Sequence, residues 1–170
     1  MGAMPAYHLP RIRSVPELCL AIARERLRES DARMAERVRL GPNGGNILSP
    51  DPEQRSMQAA LVATEFATAF IESMTWLAVV ERFGPADAAK RLDRGVTPEQ
   101  RLLALGISDS TVSAVCPDLR IHHKELYHGK PSKWPQVAQL EARRALMAAE
   151  RVAQLLTGVS GGQSAGTSPT

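Results

Sequence analysis

DPEQRSMQAALVATEFATAFIESMTWLAVVERFG, residues 51–84, is the longest apolar-periodic stretch of the chain, and its reading decides the fold. Asp51 is placed to cap a helix with Pro52 at its first position, where a missing N–H costs nothing. Met57, Leu61, Thr64, Ala67, Phe70, Ile71, Met74, Leu77 and Val80 then recur at helical spacing. Phe66, Trp76 and Val79 widen the stripe beyond one face, so this helix must touch neighbours on more than one side. Gly84-Pro85 ends it at about Phe83. Such a helix is a central core element, and its neighbours must come from the sequence on either side.

On the N-terminal side, residues 1–13 read as a flexible lead, with Met1-Gly2-Ala3 ahead of Met4 as a cloning scar. Ser14-Val15-Pro16-Glu17 forms a capping box for a helix running to about Leu40. Its seam is Leu20, Ala23, Leu27, Met34 and Val38, interrupted by Ser30 and Asp31. Arg24, Arg26, Arg28, Arg33, Arg37 and Arg39 alternate with Glu25, Glu29 and Glu36. That pattern suits a nucleic-acid face, but a solvated face laced with ion pairs explains it more simply. Gly41-Pro42-Asn43-Gly44-Gly45-Asn46 is a loop without the lysine-serine/threonine ending of a phosphate-binding P-loop.

On the C-terminal side the elements shorten. Ala86 to Asp93 makes a short helix closed by Gly95, and Thr97-Pro98-Glu99-Gln100 opens another that stops at Gly106. Ser108 can cap a third, ending before Pro117. A last helix spans about Trp134 to Thr157, with Ala138, Ala142, Ala145, Ala149, Val152 and Leu156 as a small-residue seam suited to close helix approach. Leu140, Leu146, Met147 and Leu155 widen its apolar face, Gly158 stops it, and residues 158–170 form a Gly/Ser/Thr-rich disordered tail. The expected fold is therefore all-α: a single helical bundle over residues 14–157, with two long antiparallel helices, short connecting helices and a long C-terminal helix.

Composition agrees. Aromatic residues make up only 4 % of the chain, which disfavours a sheet sandwich, and the 44 % hydrophobic and 23 % charged content is ordinary for a soluble domain. The net charge of +3 is compatible with nucleic acid without requiring it. Cys19 and Cys116 lie in apolar surroundings without metal or redox spacing, which suggests buried, reduced thiols and a cytoplasmic protein. No apolar run reaches the ~20 residues of a membrane span.

The chemistry concentrates in Asp118-Leu119-Arg120-Ile121-His122-His123-Lys124-Glu125-Leu126-Tyr127-His128-Gly129. On a helix, Arg120, Lys124 and His128 fall on one row, with His123 and Tyr127 on an adjacent one and Leu119, Ile121, His122 and Leu126 on the anchoring side. A histidine at the helix end titrates near neutrality and can move a proton, and cations one and two turns away can hold a phosphate. His122, His123 and His128 could bind zinc, but no cysteine or carboxylate joins them at a recognised spacing, so no metal and no cofactor is expected.

The run His123-Lys124-Glu125-Leu126-Tyr127-His128-Gly129, followed by a loop and a long Ala/Leu-rich helix, resembles the end of a HEPN domain. That family's pattern is arginine, a polar residue, a few residues, then histidine, commonly followed by glycine. The resemblance places His128 at the histidine, Gly129 at the glycine, Lys124 at the polar position and His123 where the arginine stands, with Arg120 the nearest arginine. It implies a small helical bundle that dimerises through this region. It also implies an RNA-binding protein, and a metal-independent endoribonuclease of a bacterial defence or toxin–antitoxin system with a protein partner encoded nearby. His128, His123, Arg120 and Lys124 would then be catalytic, and Arg120, Lys124, Tyr127, Lys130 and Lys133 would contact RNA.

Two other classes remain open. One is a non-catalytic helical dimer serving as a protein-interaction module. The other is a DNA-binding regulator, because Arg101 to Val115 resembles a helix-turn-helix with Gly106 at the turn, Ile107 and Val112 inside, and Ser108 capping the second helix. That second helix, however, carries no Arg, Lys, Asn or Gln to read base edges.

Overall fold

The computed structural model describes residues 15–51, 53–92, 95–128 and 138–161, and the side chains of these except 90–92, 120–128 and 158–161. The described residues form an all-α bundle with one small hairpin, in the order α1 (Val15–Arg37), β1 (Val38–Leu40), β2 (Asn46–Leu48), α2 (Arg55–Phe83), α3 (Pro85–Leu92), α4 (Pro98–Ala104), α5 (Ser110–His128) and α6 (Ala138–Gly161).

The core is built on alanine. Ala60, Ala63 and Ala67 of α2 and Ala142, Ala145, Ala148 and Ala149 of α6 are all fully buried. With only a methyl group at each contact, α2 and α6 come close, and α1 closes over them with Cys19, Ala23 and Leu27. Phe70, Ile71, Val152 and Leu156 fill the wider part of the same core, together with Val112, Val115, Cys116 and Leu119 of α5. Surface ion pairs record the directions. Asp31 with Arg143 and Arg24 with Glu150 run in reverse order along α1 and α6. Asp118 with Arg144 and Asp109 with Arg151 do the same for α5 and α6. The end of α5 therefore lies at the same end of the bundle as the hairpin and the start of α6.

Several expected boundaries are confirmed by their caps. Gly84, at φ 80°, turns α2 off with its N–H donating to Val80 O. Thr97 and Gln100 form the reciprocal capping box at α4. Gly106, at φ 79°, ends that helix as its N–H bonds Leu103 O and the Ile107 N–H bonds Leu102 O. Asp51 does cap α2, though from further upstream than expected. Its carboxylate accepts from the Arg55 and Ser56 amides across a turn, and the helix starts at Arg55. The start at Arg55 replaces the expected one at Pro52, which, like Ser14, lies outside the described residues.

Other readings are corrected. The first helix stops at Arg37, and residues 38–40 pair antiparallel with 46–48 around the expected glycine loop, so Val38 leaves the seam and is exposed. Ser30 does not interrupt the seam. It is fully buried, donating its hydroxyl to Ser56 O at 2.7 Å and accepting from Gln139 Nε2 at 2.9 Å. Leu77, Leu140 and Met147 are about half exposed, at 49, 56 and 52 %, because close packing on alanine leaves the larger side chains of the same helices at the rim. Gly158 does not stop α6, which continues to Gly161; an interior glycine costs a helix only about 1 kcal/mol.

The helix after Gly106 is the largest revision. Asp109, not Ser108, caps it, accepting from the Thr111 and Val112 amides at 3.0 and 3.1 Å. It then runs through Pro117 instead of stopping before it. An interior proline costs about 3 kcal/mol, mainly one lost backbone hydrogen bond and a clash with the preceding turn. Val112, Val115 and Cys116 before it and Leu119 after it are all buried, and burial of an aliphatic side chain contributes roughly 1.5–3 kcal/mol. Packing on both sides of Pro117 outweighs the local penalty.

Candidate functional site

The polar stretch is the C-terminal half of α5. What fixes it is a pair of clamps on α6. Arg151 donates to Asp109 Oδ2 at 2.8 Å, and Arg144 donates to Asp118 at 3.2 Å and to Glu141 at 2.9 Å. The Arg151 bond, with the Val112 and Thr111 amides, holds the Asp109 carboxyl below the ordinary aspartate range. Between the clamps, Val112, Val115, Cys116 and Leu119 form the buried row of the helix, while Ser113, Ala114 and Pro117 are exposed.

Helical register carries both rows forward at 100° per residue. Positions 120, 124 and 128 continue the exposed row of Ser113 and Pro117, with about 6 Å of rise between successive rungs. Position 126 continues the buried row, as does position 123, and position 127 lies between the two; position 121, expected on the anchoring side, instead falls about 200° round from Leu119, beside the exposed row. The backbone thus brings the Arg120, Lys124 and His128 positions onto one row and sets the His123 position on another. The side chains of these residues fall outside the described ones, as do Lys130 and Lys133 altogether, and His122 and Tyr127 are placed by backbone alone. Among the described residues no group of three or more His, Cys, Asp or Glu could hold a metal ion, and no helix is long and apolar enough to cross a membrane.

The α4–α5 corner turns at Gly106, with Ile107 half-buried and Val112 buried. Residues 110–117 carry no charge, and the flanking Asp109 and Asp118 are paired with Arg151 and Arg144. On the arginine-rich face of α1, Arg26 and Arg33 pair within the helix while Arg24 and Arg37 pair with residues outside it. Glu29 accepts from Arg33 at 2.7 Å and from Arg26 at 2.6 Å, which holds its carboxyl below the ordinary range, and Arg24 reaches Glu150 at 2.8 Å. These are the ion pairs of a solvated face.

Both thiols are free and buried. Burial pushes Cys116 up to about 12, with the nearby Glu99 and Glu72 carboxylates adding to the shift, and burial also raises Cys19. Both are thereby held in the protonated thiol form, which is the less nucleophilic one. Deeper in, Arg101 is nearly buried between Glu72, at 2.7 Å, and the Trp76 ring, 5.6 Å from its centroid, which fastens α4 to α2.

No family model matches the chain, and neither does any curated protein or solved structure. The Asp109 cap and the Arg144 and Arg151 clamps, which aim α5, were missed from sequence. Asp109 is itself a local cap signal, of a residue type that favours helix N-termini, but nothing local marks the clamps, whose partners stand 26 and 42 positions apart.

Proposed function

We propose that this chain is a HEPN-like RNA-binding protein whose contact surface is the last turns of α5, with His128 at its end as the proton-transfer group of a metal-independent endoribonuclease. The observation that carries the reading is the continuity of α5 through Pro117 to His128, which sets positions 120, 124 and 128 on one row continuing an exposed one. On that row two cations precede an imidazole, the order needed to hold a phosphate and to move a proton beside it. The reaction is internal transesterification. A ribose 2′-oxygen attacks the adjacent phosphorus, the 5′-oxygen leaves, and a 2′,3′-cyclic phosphate remains. His128 transfers the proton, while Arg120 and Lys124 balance the charge on the phosphorane. The family resemblance extends the proposal to a homodimer, a bacterial defence or toxin–antitoxin role and a protein partner encoded nearby.

A second reading, a non-catalytic interaction module, is favoured by the apolar hairpin, where Leu40 is 81 % exposed and Ile47 and Leu48 about half exposed. One experiment separates the two. The full chain is incubated in EDTA with a labelled single-stranded RNA, and both binding across a salt series and cleavage are followed. The ribonuclease reading requires cleavage that His128→Ala abolishes. It also requires binding whose salt slope falls by about 0.7 for each of Arg120→Ala and Lys124→Ala. RNA left intact and unbound leaves the interaction module.

A further inference from the structure

Apart from α5, the described residues line an open cleft of about 460 Å³ where the end of α1, β2, the start of α2 and the start of α6 meet. That is the size range of small-molecule sites, which are mostly apolar with a few convergent polar groups. Met34, Leu48, Met57 and Leu140 supply the apolar lining, and Arg37, Gln54 and Gln139 supply polar groups with unused capacity.

Arg37 is the principal one. Its Nε donates to Ser49 O at 2.8 Å, and its Nη1 donates to Ser56 Oγ at 3.2 Å and contacts the Met34 sulfur at 3.1 Å. Its Nη2 makes no hydrogen bond among the described residues. Asp51 stands 3.7 Å from Nη1, beyond hydrogen-bond range, and its oxygens are already taken by the Arg55 amide and by the Ser56 amide and hydroxyl. Gln139 commits its nitrogen to Ser30, which leaves its Oε1 free, and the Gln54 side chain bonds nothing among the described residues. The Gln54 backbone is left-handed at φ 52°, ψ 30°, the only such non-glycine conformation among the described residues.

We propose that this cleft binds a small monocarboxylate carried on an apolar body. One carboxylate oxygen accepts from Arg37 Nη2 and the other from the Gln54 amide, while the apolar body packs on the two adaptable methionines and the leucines. Asp51 selects the charge, since a second negative charge on the ligand, as on a phosphate, would face the carboxylate beside Arg37. A neutral apolar ligand would cover Nη2 without matching it. The same chemistry is offered by a free acid and by the C-terminus of a peptide ending in an apolar residue.

The full chain is titrated with phenylbutyrate, with its primary amide and with an acetylated Gly-Gly-Leu tripeptide bearing a free carboxylate. The Met34 and Met57 methyl resonances and the Arg37 Nε resonance are followed by NMR. The site requires that at least one acid shifts all three resonances and binds about tenfold more tightly than the amide, the loss expected for one charge-assisted hydrogen bond. Whichever acid binds more tightly identifies the source. Gln54→Gly suits the left-handed backbone and leaves the fold intact, and should weaken binding several-fold. Leu140→Glu, at an exposed position, should abolish it with an unchanged melting temperature. The proposal is overturned if neither acid shifts these resonances at millimolar concentration, if acid and amide bind equally, or if Leu140→Glu binds as the parent does.

Discussion

Ser30→Ala removes a hydroxyl that joins three helices. Ser30 is fully buried in α1, donates to Ser56 O of α2 at 2.7 Å and accepts from Gln139 Nε2 of α6 at 2.9 Å. The substitution deletes both bonds, but Gln139 keeps its 3.1 Å bond to the Ser30 carbonyl, so no donor is left wholly unpaired. A neutral buried hydrogen bond contributes a net of roughly 0.5–1.5 kcal/mol. Alanine returns about 0.5 kcal/mol as the better helix former. The expected loss is roughly 1–2 kcal/mol, or a few degrees in melting temperature for a domain of this size. Urea unfolding followed by circular dichroism measures it. Combining Ser30→Ala with Gln139→Ala should show a coupling of at least about 0.5 kcal/mol, because the two share one bond. A Ser30→Ala variant as stable as the parent would refute the reasoning.

Asp109→Ala removes the α5 cap and the Arg151 contact together, and should cost about 1–2 kcal/mol in the same assay while leaving α1 and α2 amide protection unchanged. Pro117→Ala restores a backbone donor inside α5, so stability should rise by about 2 kcal/mol, the ~3 of relieved penalty less up to ~1 for the freer unfolded chain, and hydrogen exchange at residues 118–128 should slow; a fall in stability would mean that the chain needs a break there. Both thiols should resist alkylation at pH 8 in the native protein and react in urea, since burial keeps them protonated. The sign of the linkage follows. Above about pH 8.5 the unfolded chain releases thiol protons that the folded chain keeps, so stability should fall as pH rises from there toward 12.

What could be read ahead of the structure was whatever depends on neighbours in sequence. The Leu20–Ala23–Leu27 spacing, the Thr97–Gln100 box, and the Gly84 and Gly106 stops are local devices, and each is found in place. The hairpin was not legible, because three-residue strands show no period and Val38-Arg39-Leu40 continues a helical pattern. Ser30 was misread for a different reason, since the groups that satisfy it come from Ser56 and from Gln139, 109 positions away. Pro117 reads as a stop on local energetics alone, and only the burial of Val112, Val115, Cys116 and Leu119 shows why the helix passes through it. Leu140 and Met147 look like core by hydrophobicity. Where α2 meets α6, however, alanines hold the inside positions, and the larger side chains beside that seam are left at the rim. At the candidate site the four-residue spacing of Arg120, Lys124 and His128 was visible from sequence. The separation of position 123 from that row was visible too, but that 123 continues the buried row needed the burial of Val112, Val115, Cys116 and Leu119 to be known.

The most direct test of the RNA reading is an amide chemical-shift map of the full chain on adding a short single-stranded RNA. If α5 presents its last turns to RNA, the largest changes should fall within residues 118–128 and spread outward only to their packing neighbours. Changes centred on residues 106–115 at the α4–α5 corner, or a spectrum that RNA leaves unaltered, would contradict it.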